Sequence, residues 1–564
     1  MTQPSGATWR HWLVYLVLAI LLGVVAARAI MLQVLEKDFL IGQGDARMER
    51  VDNLPAGRGM IVDRHGEPLA VSTPLQTLWA DPRQLPEAEL ANLAKTLKVS
   101  YKTLKARHKN NRAFMYLKRH MVPHEAEKVL ALKIKGVYGQ AEYKRFYPTG
   151  EVAAHLLGLT NVDDQGQEGL ELAYDHVLAG SEGKKRVLKD LYGNVIRDIE
   201  SIKAADPGSE LRLSIDVRLQ YLAYRELKTA VAYHGAKSGS VVILDVSNGD
   251  ILALVNQPSF NPNNRQTLKY SKARNRAVTD PYEPGSVIKP LTLTAALESG
   301  KFNERSVFNT APGYRRISGH TIRDISNYGK LTLSEVLIKS SNIGASTIAL
   351  KLGSQAIWQT FHQLGLGQTP GLGLPGEAAG QLPNRPKWRD IELATLSYGH
   401  GLTVTPLQLA VAYGAIANQG KRFTPRLVLN EATEHSVQAI SPSTASRMTA
   451  MLERVVKEGS GKRAISDLYR LAGKTGTAHK VGEDGYSDDR YVATFAGFAP
   501  VSDPKLVMVV VVDEPTGTEY YGGEVAAPVF GRIMESALQQ LQVKPDQPTA
   551  NSFQWIVASE EAQS

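Results

Sequence analysis

The sequence predicts an α+β protein with a single N-terminal transmembrane helix, an elongated mixed α/β front domain, and a larger domain whose antiparallel sheet is packed by helices. Three observations carry that expectation. One uncharged apolar segment lies near the N-terminus. A Pro-Gly break within AADPGSELRLSID (204–216) separates two differently patterned halves. In the second half, strand-like runs stand at both ends with helical stretches between them, the order of a sheet covered by helices.

The apolar segment runs from Trp12 to Ala27, WLVYLVLAILLGVVAA, after Arg10 and His11. At 1.5 Å per residue it covers only about 24 Å, and about 36 Å if Arg28 snorkels and 29–35 completes the helix. Ala27-Arg28-Ala29 also has the A-x-A form of a signal cleavage site. The apolar run is long for a signal core and resumes directly afterwards, so the expectation is an uncleaved anchor over 12–35. Residues 1–11 are then a cytoplasmic tail too short to fold, with the globular mass outside.

The front domain, 36–210, mixes short strands and helices, with 86–135 read as mostly helical. It also explains the charge. The 564 residues hold 65 Lys+Arg against 56 Asp+Glu, net +9. Residues 101–150 alone hold 12 basic and 3 acidic side chains, the whole excess. Lys102, Lys105, Lys109, Lys118 and Arg119 would share one basic face if this stretch is helical. Either that face is simply solvated, or it docks an acidic protein, anionic lipid or a lipid-linked precursor. An external location removes nucleic acid as a partner. The chain has no Cys, which excludes disulfides, thiolate metal sites and a cysteine nucleophile.

In the second domain, 217–545, GSVVILDV (239–246), an Asn-Gly turn and ILALV read as a hairpin. YVATFAGFAP (491–500) and LVMVVVVDEP (506–515) read as strands of an antiparallel meander, followed by a helix at about 526–541 and a polar tail, 546–564. No period of 20–50 residues repeats, so a solenoid is excluded.

Three short motifs carry chemistry. In YEPGSVIKP (282–290) a Pro-Gly break puts Ser286 at a helix start with Lys289 one turn on. A lysine there activates a serine if burial or a second cation lowers its pKa. The plain alternative is an N-cap followed by a solvated lysine. Ser340-Ser341-Asn342 follows a helix opened by the capping-box pattern Thr332–Glu335, and precedes another helical run. Lys474-Thr475-Gly476-Thr477 resembles an edge strand where Gly476 permits close backbone approach. Two nucleotide readings fail. A phosphate loop ending at Gly473-Lys474-Thr475 needs glycine at 468, which is Leu, and the glycine run 371–376 contains a proline and follows no clear strand.

Ser-x-x-Lys, Ser-x-Asn 54 residues on, and Lys-Thr-Gly another 134 on form a combination of high specificity. It resembles the serine acyltransferases that react with penicillin, the penicillin-binding proteins and serine β-lactamases. RGMIVDRHGEPLA (58–70), KRFYPTGEVAAHLLG (144–158), EGLELAYDHVLAG (168–180), YGHGLTVTPLQLA (398–410) and YYGGEVAAPVF (520–530) extend the resemblance to class B penicillin-binding proteins of the division-specific Gram-negative type.

That resemblance implies a penicillin-binding transpeptidase domain over 217–545 and a non-catalytic, dimerisation-like front domain. Ser286 would attack the D-Ala-D-Ala carbonyl of a peptidoglycan stem peptide, with Lys289 taking its proton and Lys474 favouring neutral Lys289 by like-charge repulsion. Ser340 would relay the proton to the leaving amine, and Asn342 would hold the donor amide. Thr475 and Thr477, flanking Gly476, would meet the terminal carboxylate, and the N–H groups of Ser286 and Thr477 would form the oxyanion hole. No metal or organic cofactor is implied. β-Lactams would acylate Ser286. Divisome proteins, including a septal glycan polymerase, would be partners at the inner membrane, with the catalytic domain in the periplasm. The rival hydrolase reading needs a deacylating base. Glu377 is the candidate, but EAAGQLPN reads as a turn and gives it a structural role. A class A synthase is disfavoured because its Glu-Asp-x-x-Phe signature is missing, and Glu483-Asp484 is the only Glu-Asp. A membrane-bound sensor acylated by β-lactams is the third reading.

Overall fold

The computed structural model describes residues 8–40, 49–110, 113–189, 195–264, 266, 268–429, 436–482 and 485–547. Most of both expected tails (1–7 and 548–564) and Glu483-Asp484 lie outside the described residues. The chain clusters into two compact units that interleave along the sequence. Residues 58–72 and 145–179, which the linear division assigns to the front domain, belong to the larger unit with residues 209 onward.

The N-terminal helix Thr8–Ile30 continues through a π-turn, Met31–Leu35. Trp9–Leu35, with mean hydropathy 2.5 and nothing buried, is the one helix among the described residues long and apolar enough to cross a membrane. The helix therefore extends past Arg28, as the longer span requires.

In the smaller unit, Glu49–Leu54 pairs antiparallel with Gly183–Lys189, which pairs with Val195–Lys203. The stretch 86–135 is not mostly helical. Helices Leu90–Leu97, Tyr101–Asn110 and Pro123–Leu130 are interrupted by the strand Met115–Met121. Met115, Leu117 and Met121 alternate inward onto a core with Leu90, Leu93, Leu104 and Val129, a period of two that the surrounding Lys, Arg and His disguise. The expected single basic helix face is therefore not formed. Lys102, Lys105 and Lys109 sit on a helix, but Lys118 and Arg119 sit on the strand. Several of these charges are engaged: Lys105 with Glu87 at 2.8 Å, Arg119 with Glu142 at 3.3 Å, and Lys118 with the Leu97 carbonyl at 3.0 Å.

The larger unit is built on a five-stranded antiparallel sheet. Its order is Ile251–Gln257, Ser238–Asp245, Leu506–Asp513, Gly485–Ala499, Ala472–Gly482. The expected hairpin and meander are both present, and the Lys-Thr-Gly strand is the edge. Successive strand side chains point to opposite faces, so Leu506–Val512 serves two cores at once. Val507, Val509 and Val511 face one, with the buried helices Lys289–Glu298 and Pro406–Ala417. Met508, Val510 and Val512 face the other, with helices Val217–Tyr233 and Gly522–Gln540. Burial on both faces explains why that strand reads as an unbroken apolar run.

Candidate active site

Ser286 lies in a single 3₁₀ turn, Gly285–Ile288, that runs directly into the helix Lys289–Glu298. Three residues per turn eclipse positions i and i+3, so Lys289 stands over Ser286, its Nζ 2.9 Å from Ser286 Oγ. No side chain caps this helix, which removes the plain N-cap reading of Ser286. The turn is pinned from the buried helix behind it, where Tyr413 Oη donates to the Val287 carbonyl at 2.7 Å.

Ser341, rather than Ser340, caps the helix Asn342–Leu352, its Oγ accepting from Gly344 N at 2.8 Å. That leaves both neighbours for Lys289. Ser340 holds φ +57°, a left-handed conformation that non-glycine residues rarely adopt. From there its carbonyl lies 2.6 Å and its Oγ 3.1 Å from Lys289 Nζ. Asn342 Oδ1 is 2.7 Å from the same nitrogen. The joint is fixed by Asp324, which no sequence motif marks. Its carboxylate accepts from the N–H groups of Asn342 (2.6 Å) and Ile343 (3.0 Å) and from the Ser341 hydroxyl (2.5 Å), at the positive end of the helix.

Lys474 is fully buried on the edge strand, donating to the Thr475 carbonyl at 3.0 Å. Burial lowers its pKa to about 7. Lys289, also fully buried, is pushed well below the usual lysine range, first by burial and then by the charge of Lys474, against the opposing pull of Asp324. Like-charge repulsion is thus real but second to desolvation. Gly476 is required where it stands, since a Cβ there would come within 2.8 Å of the Pro284 carbonyl and 2.9 Å of Val287 Cγ1. The strand therefore passes against the Ser286 turn. Thr475 Oγ1 meets Ser460 Oγ at 2.5 Å, a second partner that sequence gave no sign of, and Thr477 Oγ1 accepts from Gly522 N at 2.9 Å. Because Thr477 accepts there, its own hydroxyl proton stays available to a ligand.

The chemistry of this constellation follows from counting donors. The Ser340 carbonyl and Asn342 Oδ1 can only accept. Neutral Lys289 satisfies both with its two N–H bonds, which leaves its lone pair for the Ser286 hydroxyl. Glu377 lies outside this arrangement. Its carboxylate accepts from the N–H groups of Gly371 (2.9 Å), Leu372 (3.0 Å) and Gly373 (3.1 Å), closing the glycine-rich loop on itself.

Comparison with known proteins agrees in extent. Residues 239–535 match the penicillin binding protein transpeptidase domain, and 53–213 the penicillin-binding protein dimerisation domain. The chain is 44% identical over 96% of its length, and 93% of the relative's, to a protein named peptidoglycan D,D-transpeptidase FtsI from Escherichia coli K12. It is likewise 44% identical to a probable peptidoglycan D,D-transpeptidase, PbpC, of Pseudomonas aeruginosa, over 93% of each chain. Among solved structures, penicillin binding protein 3 of Mycobacterium tuberculosis in complex with aztreonam aligns at TM-score 0.70 and 29% identity, covering 88% of this chain and 99% of that one.

Proposed function

This chain belongs to the class B penicillin-binding proteins of the division type, and from that premise we propose that it is a serine D,D-transpeptidase cross-linking peptidoglycan stem peptides during septal wall synthesis. The observation that carries the reading is the four-oxygen environment of Lys289 Nζ, with Ser286 Oγ at 2.9 Å.

Ser286 gives its proton to neutral Lys289 as Oγ attacks the carbonyl between the terminal D-alanines. The Ser286 and Thr477 N–H groups receive the oxyanion, and such donors contribute about 3–4 kcal/mol each. The proton then passes from Lys289, by way of Ser340 Oγ 3.1 Å away, to the departing D-alanine amine. Asn342 holds the donor amide, and Thr475 and Thr477 hold the terminal carboxylate, with Lys474 supplying the field. An acceptor amine resolves the ester into a cross-link, whereas a β-lactam leaves a long-lived ester on Ser286.

The same reading assigns the apolar helix 12–35 as an inner-membrane anchor, with a cytoplasmic N-terminus and a periplasmic body. It assigns 36–210 as the non-catalytic domain that meets divisome partners, including a septal glycan polymerase, and 217–545 as the transpeptidase domain. Fluorescent penicillin tests the core of it. The parent protein is labelled and Ser286→Ala is not. Labelling that survives the substitution sinks the assignment. Turnover of a stem-peptide thioester separates enzyme from sensor, and a mature N-terminus at Ile30 would remove the anchor.

A further inference from the structure

The three motifs hold the donor peptide by its scissile carbonyl, its amide and its terminal carboxylate. The residue before D-Ala-D-Ala also brings a side chain, and Asn342 marks where it passes. Asn342 Oδ1 is taken by Lys289, and Nδ2 donates one of its two hydrogens to the Arg323 carbonyl at 3.1 Å. The other hydrogen is left for the donor carbonyl. Arg323 and the donor residue that owns that carbonyl are thus neighbours across a single nitrogen, with at most about 6 Å between their two carbonyl oxygens.

Arg323 ends a two-stranded hairpin, Tyr314–Ile317 with His320–Arg323. Strand alternation divides its side chains. Ile317 and Ile322 turn inward onto Ile343, in the first turn of the helix Asn342–Leu352. Arg315 ties the hairpin to the same helix through Thr347 Oγ1 at 2.7 Å. Tyr314, Arg316, Thr321 and Arg323 share the opposite face, and all four are exposed. Among the described residues neither Arg316 nor Arg323 has a carboxylate partner. The adjacent carboxylate, Asp324, is spent on the helix end. The Arg323 guanidinium lies instead over the Tyr314 ring, 5.7 Å from its centroid. Two cations therefore stand on the face nearest the donor amide, where an anionic ligand is complementary.

Resting on the transpeptidase reading above, we propose that Arg323 binds a carboxylate on the side chain of the donor residue immediately before D-Ala-D-Ala, and so selects acidic donor peptides for acylation of Ser286. An extended arginine spans about 6–7 Å from Cα to guanidinium, and an acidic side chain on the donor closes the remaining distance. The planar guanidinium offers two parallel N–H groups to one carboxylate, and the Tyr314 ring beneath it restricts its rotamers. Arg316, next along the same face, adds to the field. The contact is one of binding alone: no covalent bond forms or breaks in it.

The test is discrimination between two donors that differ in one charge. Full-length protein is given N-acetyl-L-glutamyl-D-alanyl thioglycolate or its L-glutaminyl twin, and kcat/KM is measured for each. The thioglycolate carboxylate is common to both and cancels in the ratio. The parent should prefer the glutamyl donor about fivefold, the upper range for an ion pair at an exposed arginine, and Arg323→Gln should abolish that preference. On the parent itself, raising the salt from about 0.05 M to about 0.5 M should erode it. A parent that treats the two donors alike overturns the proposal, as does a preference that survives Arg323→Gln or is indifferent to salt. So does an equal fall with both donors, which makes Arg323 a support of Asn342. A parent protein that takes no fluorescent penicillin overturns the underlying transpeptidase reading instead, and the two failures are thereby distinguished.

Discussion

Arg58 and Arg145 are buried, nearly as completely as Lys289 and Lys474, and the larger unit treats the two pairs in opposite ways. The arginines grip one fully buried carboxylate between them, with Glu171 at 2.5 Å from Arg58 and 2.6 Å from Arg145. Asp175 adds a second anion to Arg58 at 2.7 Å. Burial opposes the Arg58 charge, but Glu171 and Asp175 outweigh it and raise the pKa. Among the described residues, the lysines have no anion in contact. Asp324, the anion whose charge acts on Lys289, spends its hydrogen bonds on a helix end. One pair is a staple and keeps its charge; the other is a reservoir of unfavourable charge that is relieved by giving up a proton. Only the second can serve as a base.

The sharpest way to break this contrast is to remove one ionisable group from each region. Lys289→Met should lower penicillin acylation by about 10²–10⁴-fold, the usual worth of a general base. It should move the thermal midpoint only slightly, because removing a buried amine is offset by leaving the Ser340 carbonyl and Asn342 Oδ1 without their donor. Glu171→Gln should act on stability instead. It leaves Arg145 short of a charge and Arg58 with Asp175 as its remaining anion, and costs about 3–5 kcal/mol, read as a fall in thermal midpoint or in soluble yield. If Lys289→Met unfolds the protein, or Glu171→Gln is tolerated, the staple-and-reservoir distinction is wrong.

Lys474 sharpens the comparison through pH. Its folded pKa is about 7, against 10.5 for an ordinary lysine. Between those values the unfolded chain binds a proton that the folded chain does not, so stability rises with pH across that window. The penalty is full below pH 7 and gone above the unfolded value. Lys474→Met should therefore stabilise by a few kcal/mol at pH 6–7. That gain should shrink steadily towards pH 10, while acylation falls at every pH. A pH-independent difference in thermal midpoint would show that Lys474 is not the titrating group.

What could be read from sequence follows the range of the interactions. Ser286 and Lys289 are three residues apart, and a local turn suffices to join them. The capping box at Thr332–Glu335 is likewise local, and it located the joint that presents Ser340 and Asn342. Asp324 and Ser460 were invisible because each meets the site through a loop, with no periodic pattern to place it. The depth of Lys474 was hidden too, since an edge strand gives no reason to expect a fully buried lysine. In the smaller unit, six Lys, Arg and His residues between 107 and 119 concealed the three inward positions that make Met115–Met121 a strand.

The smallest expected effect lies in that basic stretch, where the charges resemble neither buried pair. Lys105 is solvent-exposed and its partner Glu87 more so, and exposed pairs contribute little. Reversing Lys105 and Lys109 to Glu should therefore leave the thermal midpoint and the rate of penicillin labelling where they are. The compact unit that holds these lysines contains none of the groups around Ser286. If the surface docks an acidic partner or anionic head group, the same double reversal should impair division in cells while labelling persists. Unchanged growth would assign the charge to solvation alone. A loss of labelling would mean that an exposed, solvent-screened charge governs the buried lysines, against the small reach expected of such charges.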